Sequence, residues 1–184
     1  MTSGILVYAE TSDSRIHPVS FELLGKAREI AEKLGLEVWS VIIGFDVKDR
    51  AKELIYYGAD KVYVYDSERL KDFNVLTYKD ILVDLVKEID PEIFLIGATP
   101  LGRSLAPRVA AALDTGLTAD CTDLRVDEEG NLIQIRPAFT GNILAHIKTT
   151  SKPIMSTIRY KVMPMPKRDE SRKGEIVIKS PPEK

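Results

Sequence analysis

The stretch "EIFLIGATPLGRSLAPR" (92–108) decides the fold. An apolar, β-branched run ends at Gly97, small and polar residues turn the chain, and an Ala-rich segment follows with Arg103 and Arg108 near its start. A short apolar run bounded by turn residues reads as a buried strand, and the segment after it reads as a helix, so this is one strand–loop–helix unit. Two starts fit that helix. With Thr99 as the cap, Pro100 takes the favoured first position, but Pro107 then falls inside the helix at a cost of roughly 3 kcal/mol. With Ser104 as the cap, Pro107 falls in the first turn, where its missing N–H is harmless. The second start is preferred, giving a loop over 97–103 and a helix from about 105 to 113.

The same unit repeats on the N-terminal side. "ILVYAE" (5–10), "EVWSVIIG" (37–44) and "KVYVYD" (61–66) read as further buried strands. Between them, "SFELLGKAREIAEKLG" (20–35) places Phe21, Leu24, Ala27, Ile30, Ala31 and Leu34 on one helical face, with Gly35 positioned to end it. "DVKDRAKELIYYGAD" (46–60) is a second helix with Asp46 as a candidate cap. "VLTYKDILVDLVKEID" (75–90) is a third, striped by Ile81, Leu82, Leu85 and Ile89. Strands alternating with amphipathic helices predict a doubly wound α/β fold with a mainly parallel sheet covered on both faces. The expected strand order is 3-2-1-4-5, which makes strands 1 and 4 neighbours at the switch point. The loops 9–18 and 97–104 then face one another across a crevice.

After Gly116 the pattern changes. "DCTDLRVDEEGNLIQIRPAFTGNILAHIKT" (120–149) carries short runs split by "EEGN" and "TGN", an antiparallel hairpin appendage. "KPIMSTIRY" (152–160) reads as a strand returning to the main sheet. The division expected is one α/β domain over 1–165 and a linker or tail over 166–184, where a short "EIVI" run follows a proline-rich, charged stretch.

Composition narrows the function. The chain has 184 residues and a formal net charge of -2, so it carries no global footprint for nucleic acid. Its one cysteine, Cys121, cannot form an internal disulfide. No apolar segment is long enough to span a membrane, and the first residues lack the basic region of a signal peptide, which is the reading of a cytoplasmic protein.

The candidate site is the start of the helix after strand 4: Gly97, Thr99, Gly102, Arg103 and Ser104, read as a cofactor-binding anion site or an interface. The helix dipole disfavours cations at this end. Arg103 and Arg108 therefore call for a counter-charge: Glu10 or Asp13 across the crevice, a ligand phosphate, or an acidic partner. The pattern is neither a P-loop nor a GxGxxG fingerprint. Cys121 reads as a packed structural thiol, since nothing places His17 or His146 beside it as a base. Asp120 and Asp123 read as turn caps or partners of Arg125. "IRPAFTGN" (135–142) reads as a hairpin turn or a contact loop on a partner, and Arg159 sits at the carboxyl end of a strand.

"GATPLGRSLAPRVAAALDTGLTADCTDL" (97–124), "RPAFTGN" (136–142) and "IMSTIR" (154–159), in that order and spacing, resemble the N-terminal domain of the electron-transfer flavoprotein alpha subunit. The resemblance covers roughly residues 4 to 165. It implies a fold related to adenine-nucleotide α-hydrolases and universal stress proteins. It implies FAD as electron carrier, a heterodimer with a beta subunit, and flavin dehydrogenases as donors. In that family FAD lies mainly in a second, carboxyl-terminal domain of the alpha subunit with a Gly-rich motif. No such motif precedes the "SPPEK" that ends this sequence, so this chain alone is not expected to hold the flavin. Beta subunits bind AMP near the corresponding helix start; alpha subunits generally leave that position empty. The resemblance therefore implies a non-enzymatic scaffold, in which Arg103 and Arg108 organise an inter-domain or inter-subunit surface. A stand-alone adenine-nucleotide module of the universal-stress-protein type is the alternative.

Overall fold

A computed structural model describes residues 3–183. In chain order the strands and helices are β1 (Gly4–Ala9), β2 (Thr11–Ser12), β3 (Arg15–Ile16), α1 (Pro18–Leu34), β4 (Glu37–Gly44), α2 (Ala51–Tyr56), β5 (Lys61–Asp66), α3 (Val75–Ile89), β6 (Ile93–Gly97), α4 (Pro100–Ala112), β7 (Leu117–Cys121), β8 (Asp123–Val126), β9 (Leu132–Ala138), β10 (Ile143–Ile147), β11 (Ile154–Ile158) and β12 (Glu175–Lys179).

Seven strands form one sheet in the order β12-β5-β4-β1-β6-β11-β7, and every pairing within it is parallel. Its central part, β5-β4-β1-β6-β11, is the expected 3-2-1-4-5 arrangement. Every residue of β1 is buried because both sheet faces are covered. Alternate side chains serve two cores. Ile5, Val7 and Ala9 pack with Leu24, Ala27 and Ile30 of α1 and Leu54 of α2. Leu6 and Tyr8 pack with Ile81, Leu82 and Leu85 of α3 and Leu105 and Val109 of α4. The strand period of two thus fills both layers from one continuous apolar run. The antiparallel appendage is present as β10-β9-β8.

Helix α1 ends as expected, with Gly35 left-handed at φ 67°. It starts earlier, at Pro18, because His17 caps it: the Nδ1 of His17 accepts the Val19 N–H at 3.1 Å. Asp46 is not the cap of the second helix. It takes φ 56°, and a turn of 3-10 helix (Lys48–Arg50) precedes α2. The carboxylate there belongs to Asp66 at the end of β5, which accepts the N–H groups of Asp46 (2.9 Å), Val47 (2.9 Å) and Lys48 (2.8 Å). A side chain distant in sequence outcompetes the local one because it meets the amides from outside the turn.

The segment 166–184, expected as a linker or tail, carries β12, which pairs in parallel with β5 from Glu175↔Lys61 to Lys179↔Tyr65. The chain reaches that edge as a strap across α1 and α2. Met163 is buried in the first core, Arg168 donates to both carboxylate oxygens of Glu53 at 2.8 and 2.6 Å, and Arg172 donates to the Ile55 carbonyl at 3.2 Å.

Candidate functional site

The switch point lies where β1 and β6, paired in parallel, send their connections in different directions. Helix α4 begins there at Pro100, capped by Thr99; the cap expected at Ser104 and the loop expected over 97–103 are both corrected. The Thr99 hydroxyl accepts the Gly102 N–H at 3.0 Å and donates to the Glu10 carboxylate at 2.5 Å. Thr99 is 7% exposed and Glu10 8%. An N-cap contributes about 1 kcal/mol, and here it also carries a hydrogen bond to a buried carboxylate, the stronger class. Pro107 therefore sits inside α4, on its exposed face, where a carbonyl left without its N–H partner is open to water. From the local sequence the proline penalty is visible, while the Glu10 partner is not.

Glu10 is held rigidly. Its N–H donates to Ser20 Oγ at 3.0 Å, and its carbonyl accepts the His17 N–H at 2.8 Å. Its carboxylate thus supplies negative charge at the positive end of α4, where a phosphate would otherwise be favoured. Gly102 is required by close approach: a Cβ there would lie 1.8 Å from the Gly97 carbonyl oxygen. Gly97 is itself confined, since a Cβ on it would meet Val19 Cγ1 at 2.7 Å.

Arg103 does not pair with Glu10 or Asp13. Its Nε donates to the Ala98 carbonyl at 3.0 Å and its Nη2 to Asp120 Oδ1 at 3.1 Å. Arg159 Nη2 takes the other oxygen, Asp120 Oδ2, at 2.8 Å. A bulge makes this possible. Thr118 pairs with Ser156 and Cys121 with Ile158, so β7 has one more residue than β11 between those pairs. Asp120 is left-handed at φ 65°, and its N–H donates to Thr157 Oγ1 at 2.8 Å. A bulge re-aims a side chain, and this one turns Asp120 toward the two arginines. The hydrogen bond from Arg159, then the charges of Arg159, Arg103 and Arg136, hold its carboxyl below the usual range. Asp123, not Asp120, pairs with Arg125.

Of the five predicted site residues, Gly97, Thr99, Gly102 and Arg103 come together at the β6–α4 junction. Ser104 belongs to the next turn: its carbonyl and hydroxyl accept from Arg108 Nη1 at 2.7 and 3.4 Å. Arg108 thus binds its own helix. Sequence reasoning named Glu10 as a counter-charge for the arginines but missed that Thr99 is its partner, and it missed His17 as a cap. Glu10 and His17 both follow a strand and precede a helix, which is the one signal that pointed to them.

The cavity over the switch point, about 390 Å³, is lined by Glu10, Asp13 and Asp72 against Lys71. Its charge is wrong for a phosphate. Cys121 is fully buried, its thiol donating to the Thr118 carbonyl at 3.4 Å, and burial pushes its pKa up to about 11. His17 stacks edge-on to Tyr160 instead of approaching Cys121. Among the described residues no group of His, Cys, Asp and Glu is arranged to hold a metal, and no helix is long and apolar enough to cross a membrane.

The electron transfer flavoprotein domain family matches residues 5–184. The chain is 47% identical over 178 residues to an electron transfer flavoprotein subunit alpha of Megasphaera elsdenii, covering 96% of this chain and 53% of that protein. It is 48% identical over 174 residues to the lactate dehydrogenase (NAD(+),ferredoxin) subunit LctC of Acetobacterium woodii, covering 94% of this chain and 42% of that one. Protein FixB of Azorhizobium caulinodans is 44% identical over 177 residues, with 94% and 48% covered. The chain spans about half the length of these relatives. A parallel sheet with this switch point, the hairpin appendage, and these likenesses converge: the chain belongs to the electron transfer flavoprotein family, as the N-terminal domain of an alpha-type subunit.

Proposed function

We propose that this domain is the scaffold of an alpha-type electron-transfer flavoprotein subunit. It supports FAD-mediated transfer between flavin dehydrogenases and an acceptor, together with a beta subunit, and performs no bond chemistry of its own. The observation that carries this reading is the Glu10 carboxylate at the start of α4, reached through Thr99. It neutralises the positive end of α4, which would otherwise favour an anionic ligand. The residues present do not fit a dinucleotide: three carboxylates, Glu10, Asp13 and Asp72, line the crevice, and a pyrophosphate there would meet like charge. The flavin belongs instead to a part of the subunit outside these residues, and α4 with its arginines belongs to the surface that positions it.

The test is thermal unfolding of the chain with AMP, ATP or FAD at millimolar concentration. Ligand at about 100 times its dissociation constant would add roughly 2.7 kcal/mol. The expected result is no shift and a colourless protein. A saturable shift abolished by Arg103→Ala would replace the scaffold with the nucleotide-binding module of the universal-stress-protein type.

A further inference from the structure

The β9–β10 hairpin leaves an unmatched charge. Arg136 is half-buried and paired through its backbone with Ala145, yet its guanidinium makes no hydrogen bond or ion pair among the described residues. Asp120 lies within electrostatic reach of Arg136 but is already shared by Arg103 and Arg159. Three guanidinium groups therefore surround one carboxylate, leaving a local surplus of two positive charges in a chain whose formal net charge is -2. A half-buried cation without a partner is costly for the free domain.

The same place is an open recess of mixed polar and apolar lining. A cavity of about 720 Å³ under the hairpin is lined by Arg136, Ala138, Phe139, Ala145, Ile147 and Arg159 among others, with no carboxylate in its wall. Cross-strand register pairs Arg136 with Ala145 and Ala138 with Ile143, so Ile143 shares the face of Arg136. Phe139 is 95% exposed and left-handed at φ 53°, and Ile143 is 57% exposed. An aromatic ring held fully in solvent beside a second exposed aliphatic and an arginine is the composition of a contact centre.

We propose that this concavity is the docking seat for a segment of a protein partner that presents a carboxylate beside an apolar side chain. The carboxylate pairs with Arg136 and completes the charge balance begun by Asp120. The apolar side chain covers Phe139 and Ile143. The proposal builds on the partner-dependent role argued above and names the chemistry of the partner's contact.

The test uses Arg136→Gln and Phe139→Ser, which break no side-chain hydrogen bond or ion pair among the described residues, and Lys33→Gln on α1 as control. Binding of the beta-type subunit from the same source is measured by calorimetry. Each of the two variants is expected to weaken it by about tenfold or more, with the control unchanged. Raising salt toward 1 M, where screening acts over about 3 Å, should weaken the wild type but not Arg136→Gln. Tight binding that ignores both substitutions overturns the seat and leaves the electron-carrier role standing. No binding of the beta-type subunit overturns that role instead. The seat is then decided by NMR titration with a short Glu/Phe peptide and its Lys/Phe counterpart. Shifts of the Gly141, Ala145 and Arg159 amides with the Glu peptide alone support it, and any other pattern overturns it. A concentration-dependent dimer in sedimentation that Arg136→Gln dissolves would assign the surface to a second copy of this chain, against the proposal.

Discussion

Gly102→Ala tests whether α4 is seated on the end of β6 by backbone contact. A Cβ at position 102 would lie 1.8 Å from the Gly97 carbonyl oxygen, 3.0 Å from its carbon and 3.1 Å from Ile96 Cγ2. The first of these is backbone and cannot swing aside as a side chain would, so the opening turn of α4 must move away from β6. Overpacking of this kind costs about 1–3 kcal/mol, and backbone against backbone belongs at the upper end. The movement also stretches the Gly102 N–H to Thr99 hydroxyl bond, now 3.0 Å, and a lost cap adds about 1 kcal/mol. Alanine's better helix propensity returns up to about 1 kcal/mol. The net loss expected is about 3 kcal/mol, or roughly 6–12 °C in Tm for a chain of 184 residues. Urea unfolding followed by far-UV circular dichroism and by the fluorescence of Trp39, the one tryptophan and itself 5% exposed, reads it directly. Gly35→Ala is the control: it has open space around it and only the left-handed φ of 67° to strain, so about 1 kcal/mol is expected. A loss below about 1 kcal/mol in Gly102→Ala would refute the close-packed helix start and return the cap to Ser104.

Three further outcomes are expected. Pro107→Ala should stabilise the domain by about 1–3 kcal/mol, because Pro107 lies inside α4 and an alanine restores the missing N–H; no change in the urea midpoint would contradict its mid-helix placement. Glu22 is buried in α1, and burial raises its carboxyl pKa above the ordinary 4.5 despite the Lys161 N–H and the nearby His17 and Lys161 charges. A raised folded-state value means that its stabilising contribution is complete below the ordinary value and is lost as pH rises through the raised one. The advantage of Glu22→Gln over the wild type should therefore grow from pH 4 toward pH 7, and a difference constant across urea melts in that range would rule this out. The Cys121 thiol, with its pKa pushed up to about 11, should resist iodoacetamide at pH 8 in the folded chain and react fully in urea; labelling at equal rates in both states would disprove its burial.

Sequence alone determined the layers and their order. Apolar runs such as "ILVYAE" and "EIFLIG" called for burial between two helical layers, and the helix stripes supplied those layers; connection rules left few strand orders, of which the common 3-2-1-4-5 forms the centre of the sheet. The hairpin appendage was legible for the same reason: its turns announce themselves over a few residues. The site was legible only as a neighbourhood. Gly97, Thr99, Gly102 and Arg103 were found because a strand–loop–helix junction marks itself, but their partners lie far away in the chain: Glu10 is 89 residues from Thr99, and Asp120 reaches Arg103 through a bulge that exists only once β7 pairs with β11. The last strand, β12, was similarly out of reach. Its "EIVI" run is too short and too exposed to declare a strand, and it becomes one because the open edge of β5 offers unpaired backbone groups for it to satisfy. Periodicity is a property of neighbours in sequence and can be read there. Caps, ion pairs and edge strands depend on which distant groups the folded sheet brings within about 3 Å, and only the tertiary structure decides that.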